Sequence, residues 1–388
     1  MTGRISRLIR IFLPILALCL CLSLPVYAEE ETESLPTEEM PPEFSDLLNA
    51  LPEELRALLP DGLFSSDSGE VGDAVQQMSD LSYLLGTLLS LVGLRLGEAL
   101  GVLAGVCGLL LLSSILRSIR SALGGEGVSR AFAFCSTLVI TLTLLRESYV
   151  SLGGVVDYFT TVSHVTRAVI PLLGVLYAMG GNVSTAVASS GGLAVYMTVL
   201  EELVGKSVIP FCGICMALAL IHALDPSLRT GMLSTTLKKN YTTALGFLMM
   251  LLLAMLAAQT TLGASSDTLA MRSVKFAAGN LIPVVGGSVS ELLRTVSAGV
   301  VYLRGTVGVC GILLIALTLL PTLLELLLLR AVWQIAASLA ELLGCDAEKK
   351  LLEEFASLLG YLIAAVSICS SVLLLALTLL THCASAIG

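Results

Sequence analysis

Apolar residues dominate most of this chain in long runs, and polar residues come in short clusters between them. One set of runs lies at 99–116, around Cys212 and around Cys310; a second set lies at 131–145, 241–259 and 355–381. Each run of the first set is joined to one of the second by a polar connection: "RSIRSALGGEGVSR", "DPSLRTGMLSTTLKKN" and "RAVWQIAASLAELLGCDAEKK". Several runs approach or exceed the roughly 20 residues that an α-helix needs to cross a bilayer. None shows the short alternating pattern of a transmembrane barrel strand. The pattern predicts an all-α polytopic membrane protein. Composition agrees, with 56% hydrophobic and 13% charged residues among 388, against about 25% charged in a soluble domain.

The runs resemble one another. "GVCGLLLLSSIL" around Cys107 matches "GVCGILLIALTL" around Cys310, and "FCGICMALAL" around Cys212 supplies a middle copy. "VIPLLGVLYAMGGNVS" (169–184) is echoed by "LIPVVGGSVS" (281–290), and "AVYM" at Ala194 by "VVYL" at Val300. All three Ile-Pro pairs have glycine three residues after the proline, at Gly174, Gly213 and Gly286. These matches predict about two and a half parallel repeats, at about 99–205, 206–305 and 306–388.

Charge placement orients the repeats. The three connections carry Arg117, Arg120 and Arg130, then Arg229, Lys238 and Lys239, then Arg330, Lys349 and Lys350. Basic residues are retained on the cytoplasmic side, which puts all three connections inside. Segments 148–205 and 260–305 then begin and end outside and hold an even number of crossings. Arg146, Arg167, Lys206, Arg272, Lys275, Arg294 and Arg304 fall on the outer side, so the bias is incomplete.

The first 28 residues read as a secretory signal. Arg4, Arg7 and Arg10 precede the apolar "IFLPILALCLCLSL", and Val26 and Ala28 occupy the small-residue positions of a cleavage site after Ala28. Cleavage leaves residues 29–80 outside the membrane domain, which covers 81–388. Half of the 30 acidic residues lie in 29–80, with Arg56 the single base there. The stretch "EEETESLPTEEMPPE" has a disorder-like composition. "SDLLNALPEELRALLP" carries apolar residues at helical spacing, suited either to docking or to a solvated acidic linker.

Two stretches stand out as candidate sites. Pro171 with Gly180, Gly181 and Asn182 forms the first. Pro283 with Gly286 and Gly287 forms the second, flanked by Lys275, Asn280, Glu291 and Arg294. Bare backbone N–H and C=O groups cost several kcal/mol each against lipid, so broken helix at membrane depth must be sheltered by protein or water. Proline removes a donor and Gly-Gly permits a tight reversal. Each stretch therefore reads as the bend of a hairpin lining a conduit or packing on partner subunits. A kinked transmembrane helix and an amphipathic outer loop are the alternatives. Glu291 and Arg294 sit one helical turn apart and can pair, and Arg167, Glu201, Glu202 and Lys206 flank the first bend. The architecture expected is about six full spans plus two Pro/Gly-broken hairpins.

Candidate chemistry is sparse. The pair Cys212–Cys215 in "CGIC" has redox or metal spacing, yet within an apolar run it reads first as packing. His164, His222 and His382 are scattered. The sequence shows no zinc, nucleotide, HExxH or Ser-His-Asp constellation and no basic stripe for nucleic acid. It implies no enzyme, no cofactor and no metal. Asn182 in "NVS" matches a glycosylation acceptor, a cheap match in an unsuitable setting. Glu325, inside "LLPTLLELLLLR", is the best candidate for a coupling residue if the chain were a secondary transporter of a small solute.

The signal "MTGRISRLIRIFLPILALCLCLSLPVYA", the acidic outer segment, the multi-span body and above all "KFAAGNLIPVVGGSVSELLRTVSAGV" resemble the stage III sporulation protein AE family of endospore-forming bacteria. The resemblance covers essentially the whole chain. It implies a non-enzymatic component of the mother-cell membrane around the forespore. It implies partners among the other stage III proteins of one gene cluster and, through them, a forespore membrane protein. Together these would form a transenvelope channel needed for late forespore gene expression. It supplies no catalytic residues, and membrane lipid is the remaining expected partner.

Overall fold

The computed structural model describes residues 41–385 except 42, 50, 52, 124–125, 180–181, 225–229 and 282–285, with backbone alone over much of 116–137, 222–231 and 268–301. No strand occurs among the described residues. The chain begins with α1 (Glu43–Asn49), α2 (Glu53–Arg56), a 3₁₀ turn (Asp61–Phe64) and α3 (Ser68–Ser79). Then come α4 (Leu81–Leu123), α5 (Glu126–Met179), α6 (Val183–Leu203), a π turn (Val204–Val208), α7 (Ile209–Leu224), α8 (Thr230–Leu281), α9 (Gly286–Leu342) and α10 (Asp346–Ser385).

Six segments are long and apolar enough to cross a membrane: Ser82–Ile115, Leu138–Met179, Val183–Ile221, Met232–Asp267, Gly305–Leu342 and Asp346–Thr381. At ~1.5 Å per residue, α4, α5, α8, α9 and α10 are about 60–85 Å long, at least twice the roughly 30 Å of hydrocarbon in a bilayer. The helices therefore project well beyond the lipid.

α10 is the central helix. It packs against α9, α8, α7 and α5, and its span is the most buried of the six. α9 in turn packs on α5 and α4, while α6 joins α5 to α8. Trp333, Phe355, Leu172 and Leu176 are among the largest fully buried side chains. α4 and α8 form the flanks and expose apolar faces, with Leu89 and Leu100 on one and Phe247, Met250 and Leu262 on the other.

Segments 148–205 and 260–305 each take in parts of two successive long helices. The first continues α5 into α6 and the second continues α8 into α9. α5 runs without a break through Pro171. The proline ring lies on the exposed side of the helix, while Val169, Leu172, Leu173, Leu176 and Tyr177 around it are buried. One lost hydrogen bond costs ~3 kcal/mol or more in a helix interior, and that burial of neighbours on both sides offsets it. At Pro210 the backbone does adjust, because the π turn Val204–Val208 leads directly into α7. Such turns are a common response to a missing donor.

The acidic segment is docked over its described part. Phe44 and Leu48 are buried, and α1 packs on α5. α3 is capped by Asp67, whose carboxylate accepts from the Gly69 amide at 2.9 Å. It buries Val71, Val75 and Met78 and packs against α9. Tyr83 at the start of α4 donates to the Leu58 carbonyl. Of the apolar residues of "SDLLNALPEELRALLP", Leu48, Leu51 and Leu59 are buried, while Ala57 is exposed.

Candidate functional site

Three tyrosines fix the α5–α6 hairpin to the central helix. Tyr158 Oη lies 2.6 Å from Ser370 Oγ, Tyr177 Oη donates to the Leu380 carbonyl at 2.6 Å, and Tyr196 Oη donates to the Cys369 carbonyl at 2.8 Å. Buried hydroxyls need such partners, and each bond contributes ~1 kcal/mol net. Tyr158→Phe is expected to lower stability by about 1 kcal/mol, leaving Ser370 its bond to Val366. A thermal melt of the detergent-solubilised protein checks this.

The opposite side of the hairpin is exposed and polar. Along α5 the exposed positions include Asp157, Thr160, His164, Arg167 and Pro171, spaced three or four residues apart and so forming one stripe. α6 adds Thr198, Glu201 and Glu202 beside it, and the π turn adds Lys206. Arg167 donates to Glu201 Oε1 at 2.6 Å, Ser163 donates to the same oxygen, and Lys206 pairs with Glu202 at 2.5 Å.

Contacts with α9 fix the depth of this stripe. A Cβ on Gly154 of α5 would lie 3.8 Å from Glu325 Oε1, and one on Gly311 of α9 would lie 3.5 Å from Val169. The stripe therefore runs beside α9 residues 311–325, which carry no charge between Gly311 and Leu324. These are among the most apolar residues of the bundle.

A second junction closes the turn end of the α5–α6 hairpin. Asn182 is buried and caps α6: its amide donates to the Tyr177 carbonyl, and its own carbonyl accepts from Ala186, both at 2.9 Å. Asp267 of α8 reaches the same helix start. It accepts from the Ser184 amide at 2.9 Å, the Thr185 amide at 2.8 Å and the Thr185 hydroxyl at 2.7 Å. Gly263 allows this approach, since a Cβ there would sit 3.1 Å from Thr185 Cα and 3.2 Å from Ser184 O.

The two expected bends are not brought together. Asn182 meets α8 near Asp267, and α8 continues for fourteen residues to Leu281, about 20 Å farther along its axis. Gly180, Gly181 and Pro283 lie outside the described residues. Lys275 and Asn280 are in the last turns of α8; Gly286, Gly287, Glu291 and Arg294 are in the first turns of α9. Of these six the backbone alone is described, so the Glu291–Arg294 pair stands as an expectation.

Glu325 sits half-buried where α9 meets α5, with the Arg95–Glu98 pair of α4 in its electrostatic surroundings. Cys212 and Cys215 are buried free thiols between α8 and α10. No group of three or more potential metal ligands occurs among the described residues. The arrangement can hold water against a charged stripe and can fix helices.

A family profile described as "Stage III sporulation protein AE (spore_III_AE)" matches residues 71–384. The chain belongs to the stage III sporulation protein AE family. The "Stage III sporulation protein AE" of Bacillus subtilis (strain 168) is 24% identical over 267 residues, 69% of this chain and 67% of that protein. No solved structure matches. The family match takes in α4–α9 whole, nearly all of α10 and most of α3, so both the polar stripe and the Asp267 junction lie within the stage III sporulation protein AE region.

Two features escaped the sequence reading. Asp267 is the single acid of α8 in 52 residues, and that isolation was the available signal. Lys238, read as a retained topology marker, is instead buried with its partner Glu354 of α10.

Proposed function

We propose that this protein is a non-enzymatic integral membrane component of a multi-protein sporulation assembly. Its place is the mother-cell membrane around the forespore, in a channel that spans both envelopes and sustains late forespore gene expression. Family membership supports the sporulation role. The observation that carries the conduit part is the exposed charged stripe of α5 and α6 at the depth of the uncharged 311–324 stretch of α9. The acidic segment lies on the extracytoplasmic side, the basic connections inside, and partners are other stage III proteins. The repeat at about 99–205, 206–305 and 306–388 remains part of this reading.

Native electrophoresis of membranes extracted from sporulating cells tests it. The protein is expected in a high-mass band together with other stage III proteins. Migration only as a free monomer would remove the reading.

A solute carrier is the second reading, and Glu325 is its best residue. The nearby Arg95–Glu98 pair favours a structural ion cluster instead. Solute uptake by the purified protein in vesicles, abolished by Glu325→Gln, would reverse that preference.

A further inference from the structure

The outer surface of this bundle is two-sided. At the depth where Gly246 of α8 lies 4.0 Å, as a Cβ, from Ile368 of α10, the exposed residues of α8 are Phe247, Met250 and Leu251. Those faces suit acyl chains. On α5 and α6, Tyr158 and Tyr196 reach Ser370 and Cys369 of the same stretch of α10, yet the exposed residues there include Asp157 and Thr160 beside Val195, with Glu201, His164 and Arg167 farther along the same face. The threonines of the stripe satisfy themselves, since Thr160 donates to the Val156 carbonyl and Thr198 to the Ala194 carbonyl, both at 2.9 Å. The charges pair in part, Arg167 with Glu201 and Lys206 with Glu202, but every one of them stays exposed. Ionisable side chains within a membrane turn toward water or a partner, and interfaces between helices there favour small residues such as the exposed Gly153, Gly191 and Ala194.

We infer that the α5–α6 face is the wall of a water-filled passage closed by further copies of this chain, and that the passage admits small hydrophilic solutes of either charge. The inference rests on the conduit reading above. Charge complementarity selects the occupant across the passage. The stripe carries Asp157, Glu201 and Glu202 against Arg167 and Lys206, and the Arg167–Glu201 and Lys206–Glu202 pairs leave Asp157 as its one uncompensated charge. Identical faces therefore tolerate one another around a symmetry axis, the common way for membrane chains to enclose a lumen. A wall that carries four paired charges and one uncompensated carboxylate per copy hydrates the path with a weaker single-sign field than the charged rings that select cations or anions.

The test uses single cysteines in the full chain, with its ten native cysteines, the exposed Cys135 among them, replaced by serine or alanine, in open membrane vesicles from sporulating cells. Thr160→Cys and Thr198→Cys should react with membrane-impermeant methanethiosulfonates, both cationic and anionic. Phe247→Cys and Met250→Cys should react at least roughly tenfold more slowly, because the reacting thiolate needs water. Bis-maleimides of graded length should link two Thr160→Cys chains into a covalent dimer. Stripe thiols as slow as Phe247→Cys would overturn the inference, as would absence of the dimer at every length. A preference above roughly tenfold for one reagent sign would overturn the charge-blind passage. Native electrophoresis of each variant separates the two levels. Slow stripe thiols in a chain that still runs as a large assembly reject the wall and leave the conduit reading intact, whereas a monomer rejects the conduit reading itself.

Discussion

Lys238→Ala is expected to destabilise the protein by about 3–5 kcal/mol, the typical result of stripping one partner from a buried ion pair. Lys238 Nζ donates to Glu354 Oε2 at 3.1 Å and to Ser357 Oγ at 3.2 Å, and the two charged side chains are 7% and 17% exposed. Ser234 adds a donor to the same carboxylate at 3.3 Å. The loss comes chiefly from the carboxylate left buried without its cation. Lys238→Met with Glu354→Leu, which removes both charges and keeps volume, should therefore recover most of the stability. Thermal midpoints of the two single variants and the double variant in detergent check this. Equal losses in single and double variants would mean that packing, not charge, holds α8 to α10.

Asp267→Ala is expected to cost about 2–3 kcal/mol. Three donors of the α6 start lose a charged acceptor, and bonds to charged groups contribute ~1.5–3 kcal/mol each where they are well formed. The carboxylate also meets the positive end of the α6 dipole. Asp267→Asn keeps an acceptor oxygen but no charge, so about half the loss is expected. Hydrogen exchange of the Ser184 and Thr185 amides gives the local readout: both should exchange faster in Asp267→Ala while the Tyr158 and Tyr196 region stays protected. Unchanged protection at Ser184 would show that the Asp267 carboxylate does not hold this helix start.

Much of this architecture is legible in the order of residues because lipid imposes a one-dimensional rule. A helix must stay apolar for the length of the hydrocarbon, and the six runs mark that directly. The docking of "SDLLNALPEELRALLP" was half legible, from the helical spacing of Phe44, Leu48 and Leu51. Pro171 misleads because a proline's effect depends on which side of the helix it faces and on the packing around it. Neither is written locally. The stripe Asp157, Thr160, His164, Arg167 has clear helical spacing, but it follows the apolar run 131–145 and so reads as lying past the membrane. Its depth emerges only when Gly154 and Val169 meet α9. Lys238 with Glu354 and Asp267 with Thr185 join helices 116 and 82 residues apart in sequence, and no periodicity reports a pairing across such a distance.

All of these readings require that the chain crosses the membrane an odd number of times between the α5–α6 turn and the α9–α10 turn. Cysteines introduced singly at Val183 and Lys350, both exposed, in a chain with its native cysteines replaced and produced in the cytoplasmic membrane of non-sporulating cells, test it when challenged with an impermeant maleimide in intact cells and again after permeabilisation. The account predicts that Val183→Cys is modified in intact cells and Lys350→Cys only after permeabilisation. Modification of both from the same side of the membrane would contradict it.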